Sequence, residues 1–298
     1  MKVGLIVPQG WTGEYVGWAP RDAWARSLSI AAEAESLGFD SLWVFDHFHT
    51  TPEPTDEITF ESFATLAALA GLTNRVELGH VVACAGFRNP ALTAKAISTI
   101  DVISGGRVVL GIGAGWKREE WESYGYRFPS TAERLSMLAE QLEIITHMLA
   151  DGSATFEGDH HRVFGAINQP RGLRSPGIPI MVGGNGPRRT WRIAARFADE
   201  LNLDAMTPED VVAATPVISE RCREIGRDPR TLAVSVHVWW EHLEPAGAER
   251  RRQLDAYRKA GVRRIQVLLR DAVAHPSALE DFADDCEAAG AALREQVA

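Results

Sequence analysis

Cysteine is scarce in this chain: three residues in 298, Cys84, Cys222 and Cys286, odd in number and far apart. That excludes a disulfide framework, and the lack of any Cys-x-x-Cys or Cys/His spacing leaves nothing that reads as a zinc site. A reducing cytoplasm is the expected setting. Basic charge is also in short supply, with 31 Lys and Arg against 40 Asp and Glu. The net charge of −9 argues against nucleic acid as a partner, which would draw on a basic stripe. Long apolar runs are missing too. No segment approaches the roughly 20 residues that span a bilayer, so no membrane partner is expected. The N-terminal run in MKVGLIVPQGW breaks at Pro8 and is too short for the apolar region of a signal peptide.

What the chain does have is alternation. Short apolar, β-branched runs begin at Val3, Ser41, Val76, Val108, Ile178, Glu200, Leu232 and Arg264, with amphipathic stretches between them. Most of these runs are too uniformly apolar to be half-exposed, which suits parallel strands covered on both faces. The stretches between them carry helix punctuation. Asn89 is placed to cap a helix that Pro90 opens and Gly105 ends, and Thr207 with Asp210 forms a capping-box pattern ahead of an internal Pro216. Eight β/α units is the number that closes a parallel barrel of roughly 250 residues, whereas an open doubly wound sheet seldom uses so many. The expected fold is an α/β (β/α)8 TIM barrel forming one domain over residues 1–298. One insertion, about 151–177 and before the fifth strand, has the Gly/Pro content of a hairpin excursion.

In such barrels the site is built from the C-terminal strand ends and the loops that follow them. After the first strand, PQGWTGEYVGW sets Trp11, Tyr15 and Trp18 among Gly10, Gly13 and Gly17. It reads either as a wall over a planar ligand or as a packed surface loop. The second strand ends in Asp46, His47 and His49, three ionisable groups in four positions at the rim. His-x-His is similar to the metal pattern of amidohydrolase barrels. There it follows the first strand and is completed at later strand ends, where this chain has Gly183, Gly184 and Ala205. No metal is therefore expected, with a metal-dependent hydrolase as a remote alternative. The third strand ends in VVACAG, small enough for a flat ring to lie against backbone, and nothing near Cys84 would activate it as a nucleophile.

The fourth strand runs into GIGAGWKREEW. Gly111, Gly113 and Gly115 lack dinucleotide-fingerprint spacing and indicate close approach of a ligand or another backbone. The strongest local signal is IPIMVGGNGPRR. Gly183, Gly184, Asn185 and Gly186 lead to Pro187, which is expected to open a helix. Backbone N–H groups at such a helix start bind anions, and a phosphate would offset Arg188 and Arg189 at the positive end of the dipole. The seventh strand ends in Trp239 and Trp240, which point opposite ways, and Trp240 is assigned to the mouth. His80 and His237 read as core residues, and His160 and His161 as solvated. Together these features describe a phosphate cradle, room for a flat ring, aromatic walls and an Asp-His pair. A planar, phosphate-bearing cofactor fits that description, with the protein orienting it.

The segments GFDSLWVFDHF, RNPALTAKAISTIDVISGGRVVLGIGAGW, IPIMVGGNGPRRTWRIAARFADELNL and AYRKAGVRRIQVLL resemble the bacterial luciferase-like superfamily, in its branch that uses the deazaflavin coenzyme F420. The likeness runs nearly the whole chain. It implies a TIM barrel and an F420-dependent oxidoreductase acting on a small-molecule substrate, with an FMN-dependent monooxygenase as the alternative. A non-catalytic flavin-binding barrel is a further, remote alternative. By position, the family's Asp-His falls on Asp46 and His47, with His47 moving a proton and Asp46 orienting it. Its non-prolyl cis peptide falls at about Val81-Val82, beside Ala83 and Cys84, backing the ring. Gly113 and Gly115 would line the ring or its tail, and the phosphate would sit on Gly183, Gly184, Asn185 and Gly186 near Arg188. Lys117, with Arg118 and Arg88, would favour F420's anionic tail. Two departures concern the substrate. The acidic residue that F420-dependent sugar-phosphate dehydrogenases carry after the fourth-strand glycines is Trp116 here, and a tryptophan of theirs is Thr51. With Trp11, Tyr15, Trp116 and Trp240 on the substrate side, an apolar or aromatic substrate is expected rather than a sugar phosphate. Relatives are commonly dimers, so a homodimer is expected.

Overall fold

Each of the eight strand-like runs becomes a strand in the computed structural model, which describes residues 1–243 and 246–293. They are β1 (Lys2–Ile6), β2 (Ser41–Val44), β3 (Glu77–His80), β4 (Val108–Gly113), β5 (Ile180–Gly183), β6 (Glu200–Asp204), β7 (Ala233–Val238) and β8 (Arg264–Leu268). All pair in parallel, in the order β3-β2-β1-β8-β7-β6-β5-β4. The ring closes where Leu78 and Gly79 of β3 meet Val108 and Val109 of β4. The fold is a closed TIM barrel. A two-residue strand, Ala83–Cys84, extends the β4 edge beyond β3.

Nine helices are described: α1 (Pro20–Ser36), α2 (Ser62–Leu72), α3 (Pro90–Ser104), α4 (Arg118–Ser123), α5 (Thr131–Asp151), α6 (Thr190–Phe197), α7 (Pro208–Arg223), α8 (Ala248–Lys259) and α9 (Ala278–Ala288). The punctuation acts as expected. The Asn89 side chain accepts from the Ala91 and Leu92 N–H groups, and Gly105 ends α3 in the left-handed region at φ 73°. Thr207 and Asp210 form a capping box, and Pro216 sits inside one continuous helix. The insertion is an antiparallel hairpin, Ser153–Glu157 with Arg162–Ile167. Its tip is tied to α5 by Glu140, which accepts the backbone N–H groups of Asp159, His160 and His161.

The barrel interior is filled by Trp43, wholly buried, with Ile6, Val109, Met181 and Leu268 around it. The ring explains two glycines in the strands that flank β2, Gly4 of β1 and Gly79 of β3. A Cβ on Gly4 or on Gly79 would come within 2.5 Å of the indole. One large side chain thus replaces two, which plugs the barrel below its mouth and leaves the C-terminal strand ends free for a site.

The stretch after β5 departs from expectation. Pro187 does not open the helix; α6 starts at Thr190. The Trp191 indole N–H donates to the Gly184 carbonyl at 3.1 Å and its backbone N–H to that of Gly186, folding the loop back over the helix start. Arg188 and Arg189 therefore precede the first turn. Arg189 reaches across to Ala132 and Ser136 of α5.

Candidate active site

Consecutive residues of an extended chain point opposite ways, and Asp46 and His47 follow that rule just beyond β2. Asp46 borders the cavity, but its carboxylate is fully engaged. Its carboxylate accepts from Ser62 Oγ at 2.7 Å, from the Cys84 N–H at 2.8 Å, and from both Arg88 amines at 2.6 and 2.9 Å. Burial alone would raise this carboxyl, but the Arg88 charge and hydrogen bonds outweigh it and hold the group below its ordinary value. Asp46 braces the strand end against the Cys84 turn and α2.

His47 turns into the mouth, and its partner is Glu120 of α4, not Asp46. The Nδ1 lies 2.6 Å from a Glu120 oxygen, and the other oxygen accepts the Phe48 N–H at 3.1 Å. Glu120 is wholly buried. Burial favours its neutral form, but the His47 hydrogen bond and charge prevail, so its carboxyl is held below the ordinary range. Trp11 stacks on the other side of the imidazole, centroids 4.0 Å apart and planes within 2°. With Nδ1 committed, Nε2 is the nitrogen left to act at the cavity. His49 stays at the rim, its Nδ1 3.9 Å from Glu120. The described residues bring together no group of three or more His, Cys, Asp or Glu able to hold a metal.

These residues border a cavity of about 440 Å³ at the barrel mouth. Its floor is backbone and small side chains. The Val81-Val82 peptide is cis, and Val82 faces Gly113 and Gly183, where a Cβ would come within 2.7 and 2.9 Å of the valine methyls. Gly115, Trp116 and Lys117 continue one side, and Gly183, Gly184, Gly186 and Thr190 another. Cys84 lines it as well, its thiol pushed up to about 12 by burial, which leaves it unreactive. The cavity is bordered by two cations. Lys117 Nζ donates to the Thr50 carbonyl at 3.3 Å, and Arg134 of α5 donates to the Gly115 and Pro129 carbonyls.

Several expected site residues lie elsewhere. Ala83 is buried in its pairing with Ile112 and does not face the cavity. Asn185 holds the end of β6, its side chain bonded to both the N–H and the carbonyl of Asp204, and it does not line the cavity. Arg188 is exposed outside the cavity. Tyr15 is buried beside α1, its hydroxyl 2.7 Å from Ser27 Oγ. Of the tryptophan pair it is Trp239 that enters the mouth, while Trp240 lies under Arg270 in a separate hollow. His237, expected in the core, reaches the cavity and lies 2.9 Å from Asp204. Glu120, Arg134 and Asp204 were not legible from their sequence neighbourhoods, because each is brought to the mouth by a different element.

The model of one family, luciferase-like monooxygenase, matches residues 1–295. The chain belongs to the luciferase-like monooxygenase family. Within it, the chain is 29% identical to a 5,10-methylenetetrahydromethanopterin reductase of Methanolobus tindarius, over 75% of this chain and 63% of that protein. It is 31% identical to an F420-dependent glucose-6-phosphate dehydrogenase of Kineococcus radiotolerans, over 75% of this chain and 66% of that one. The match to this luciferase-like chain thus spans just under two thirds of each relative's length. Its fold is shared with an F420-dependent secondary alcohol dehydrogenase solved with an F420-acetone adduct, at TM-score 0.80, 22% identity and 99% coverage of both chains.

Proposed function

We propose that this chain is an F420-dependent oxidoreductase that moves hydride between the deazaflavin and a small organic substrate, apolar or aromatic. One observation carries the reading. A flat, side-chain-poor floor of Val82, Gly113 and Gly183 lies in the same cavity as the His47–Glu120 pair. The glycine loop 183–186 with Thr190 suits a phosphate, and Lys117 and Arg134 suit an anionic tail. Relatives named for F420 chemistry support the same choice.

The deazaflavin supplies a two-electron hydride when bound, and this chain's residues do the rest. His47 Nε2 gives or takes the proton at the substrate heteroatom, and Glu120 fixes the ring by holding its Nδ1. Asp46 and Arg88 hold the strand end on which His47 stands. Trp11, Trp116 and Trp239 provide apolar walls for a carbonyl, imine, activated alkene or alcohol. The expected assembly is a homodimer.

The deciding experiment is anaerobic titration of the chain with F420, F420H2, FMN and FMNH2, read by fluorescence. The F420 pair binds and FMN does not; tight binding of FMN alone would overturn the proposal in favour of a monooxygenase.

A further inference from the structure

One layer below Asp204 and His237, three neighbouring strands each turn a polar side chain inward: Asn202 of β6, Ser235 of β7 and Gln266 of β8. All three are buried, and Asn202, at 3% exposed, is the one that borders the cavity. Its register partner on β5 is Gly183, so no side chain on that flank separates Asn202 from the cavity floor.

The neighbours of Asn202 accept its amide in one orientation. Its Nδ2 donates to Ser235 Oγ and to Gln266 Oε1, both at 3.0 Å. Gln266 is held that way round because its own Nε2 lies 3.5 Å from a Glu200 oxygen, which a flipped amide oxygen would repel. Glu200 in turn lies 3.7 Å from Arg264 at the N-terminal end of the barrel. Both Nδ2 hydrogens are therefore spent inside the barrel. Among the described residues nothing donates to Oδ1, which is the polar atom Asn202 has left for the cavity it lines. The carboxylates at the cavity differ, since Asp46 faces Arg88, Glu120 faces His47 and Asp204 faces His237. A neutral acceptor fixed at a cavity floor is matched by a neutral N–H on the ligand that displaces solvent from it.

We propose that Asn202 is a specificity-determining residue whose Oδ1 accepts a hydrogen bond from the imide N–H of a pyrimidinedione ring laid on the glycine floor. The inference rests on the oxidoreductase reading in taking this cavity as the cofactor site. It adds to that site a residue that holds the ring by its N–H edge, apart from the contacts offered to a phosphate or an anionic tail. The deazaflavin carries this imide N–H and so does the flavin of FMN, so Asn202 reads the edge they share and leaves the choice between them to other residues. A planar ligand whose edge offers only acceptors, or whose imide nitrogen is alkylated, is disfavoured.

The test titrates the full chain with the phosphorylated F420 chromophore, lacking the anionic tail, and with the same compound methylated at the imide nitrogen. FMN and its imide-methylated derivative form a second pair, and ring fluorescence reads all of them. The wild type binds the unmethylated chromophore about tenfold more tightly than the methylated one. Asn202→Leu, close in volume but without an acceptor, brings the two within about twofold, chiefly by weakening the unmethylated compound. A preference caused by crowding of the methyl group would persist in that variant, and its persistence overturns the proposal. Equal binding of both compounds by the wild type does so too. A readout on the wild type alone covers the case of a misfolded variant. With the imide nitrogen isotopically labelled, the bound ring shows its N–H proton by NMR, shifted downfield and slow to exchange; fast exchange with water overturns the proposal. If the FMN pair shows the preference and the deazaflavin pair does not bind, the F420 reading fails and this one stands. Binding of the F420 chromophore without the preference does the reverse. If neither pair binds, both fall.

Discussion

Glu120 is the residue on which the role proposed for His47 turns, because it binds the imidazole at Nδ1 and leaves Nε2 to the cavity. Asp46 and His47 are adjacent in sequence and invite pairing, yet alternation along an extended chain sends them to opposite sides. The true partner sits 73 residues on, in the first turn of α4. Nothing in REEW distinguishes Glu120 from Glu119 until α4 packs under the mouth and buries one of them. Glu120→Gln keeps the volume and removes the charge. Turnover with F420H2 is expected to fall roughly 100-fold, the scale of an acid–base contribution, while F420 affinity stays within about twofold. Equal losses in both quantities would show that Glu120 shapes the cofactor site instead.

Among the elements, the strand ends β4 and β5 set the cavity floor. Their glycines were legible as places of close approach, and the geometry supplies the reason: a Cβ at Gly183 would press on the Val82 methyls from the cavity side. Gly183→Val is expected to lower cofactor affinity at least about tenfold, since the added side chain occupies the space where a ring would lie. Far-UV circular dichroism should stay unchanged. Retained affinity would place the ring elsewhere. The helix caps at Asn89 and Thr207 were readable because a cap is a local arrangement of a side chain and N–H groups two or three residues away. The start of α6 was not, because Trp191 sets it by bonding back to the Gly184 and Gly186 carbonyls, a choice that Pro187 does not announce.

On the scale of the whole molecule, the two ends of the barrel do different work. The C-terminal end carries the cavity; the N-terminal end carries an ion network. Lys2, Glu77, Glu200 and Arg264 begin their strands, and Asp40 precedes β2. Arg264, 4% exposed, lies 2.5 Å from Glu77 and 3.3 Å from Asp40, while Arg174 reaches Glu77 at 2.8 Å. Burial alone would raise the Glu77 carboxyl, but Arg264, Arg174 and Lys2 bring it down to about 2 from an ordinary 4.5. A depressed carboxyl stabilises the fold above its unfolded value, and that stability is lost as pH falls through the folded value. Denaturant titrations between those limits should therefore show a loss of about 3 kcal/mol that Glu77→Gln lacks. An equally steep profile in the variant would remove Glu77 from the account of acid unfolding.

The barrel itself could be read from order along the chain. Eight apolar runs buried on both faces, separated by capped helices, have few closed solutions, and periodicity and capping are local properties that survive without tertiary information. The glycine floor and the presence of an ionisable pair at the second strand end were visible for the same reason. Partnership was not. Which carboxylate holds His47, which tryptophan enters the mouth, and that Asp204 meets His237 there depend on contacts between elements far apart in sequence. Those contacts are set by how helices pack around a closed ring, and only the folded chain decides them.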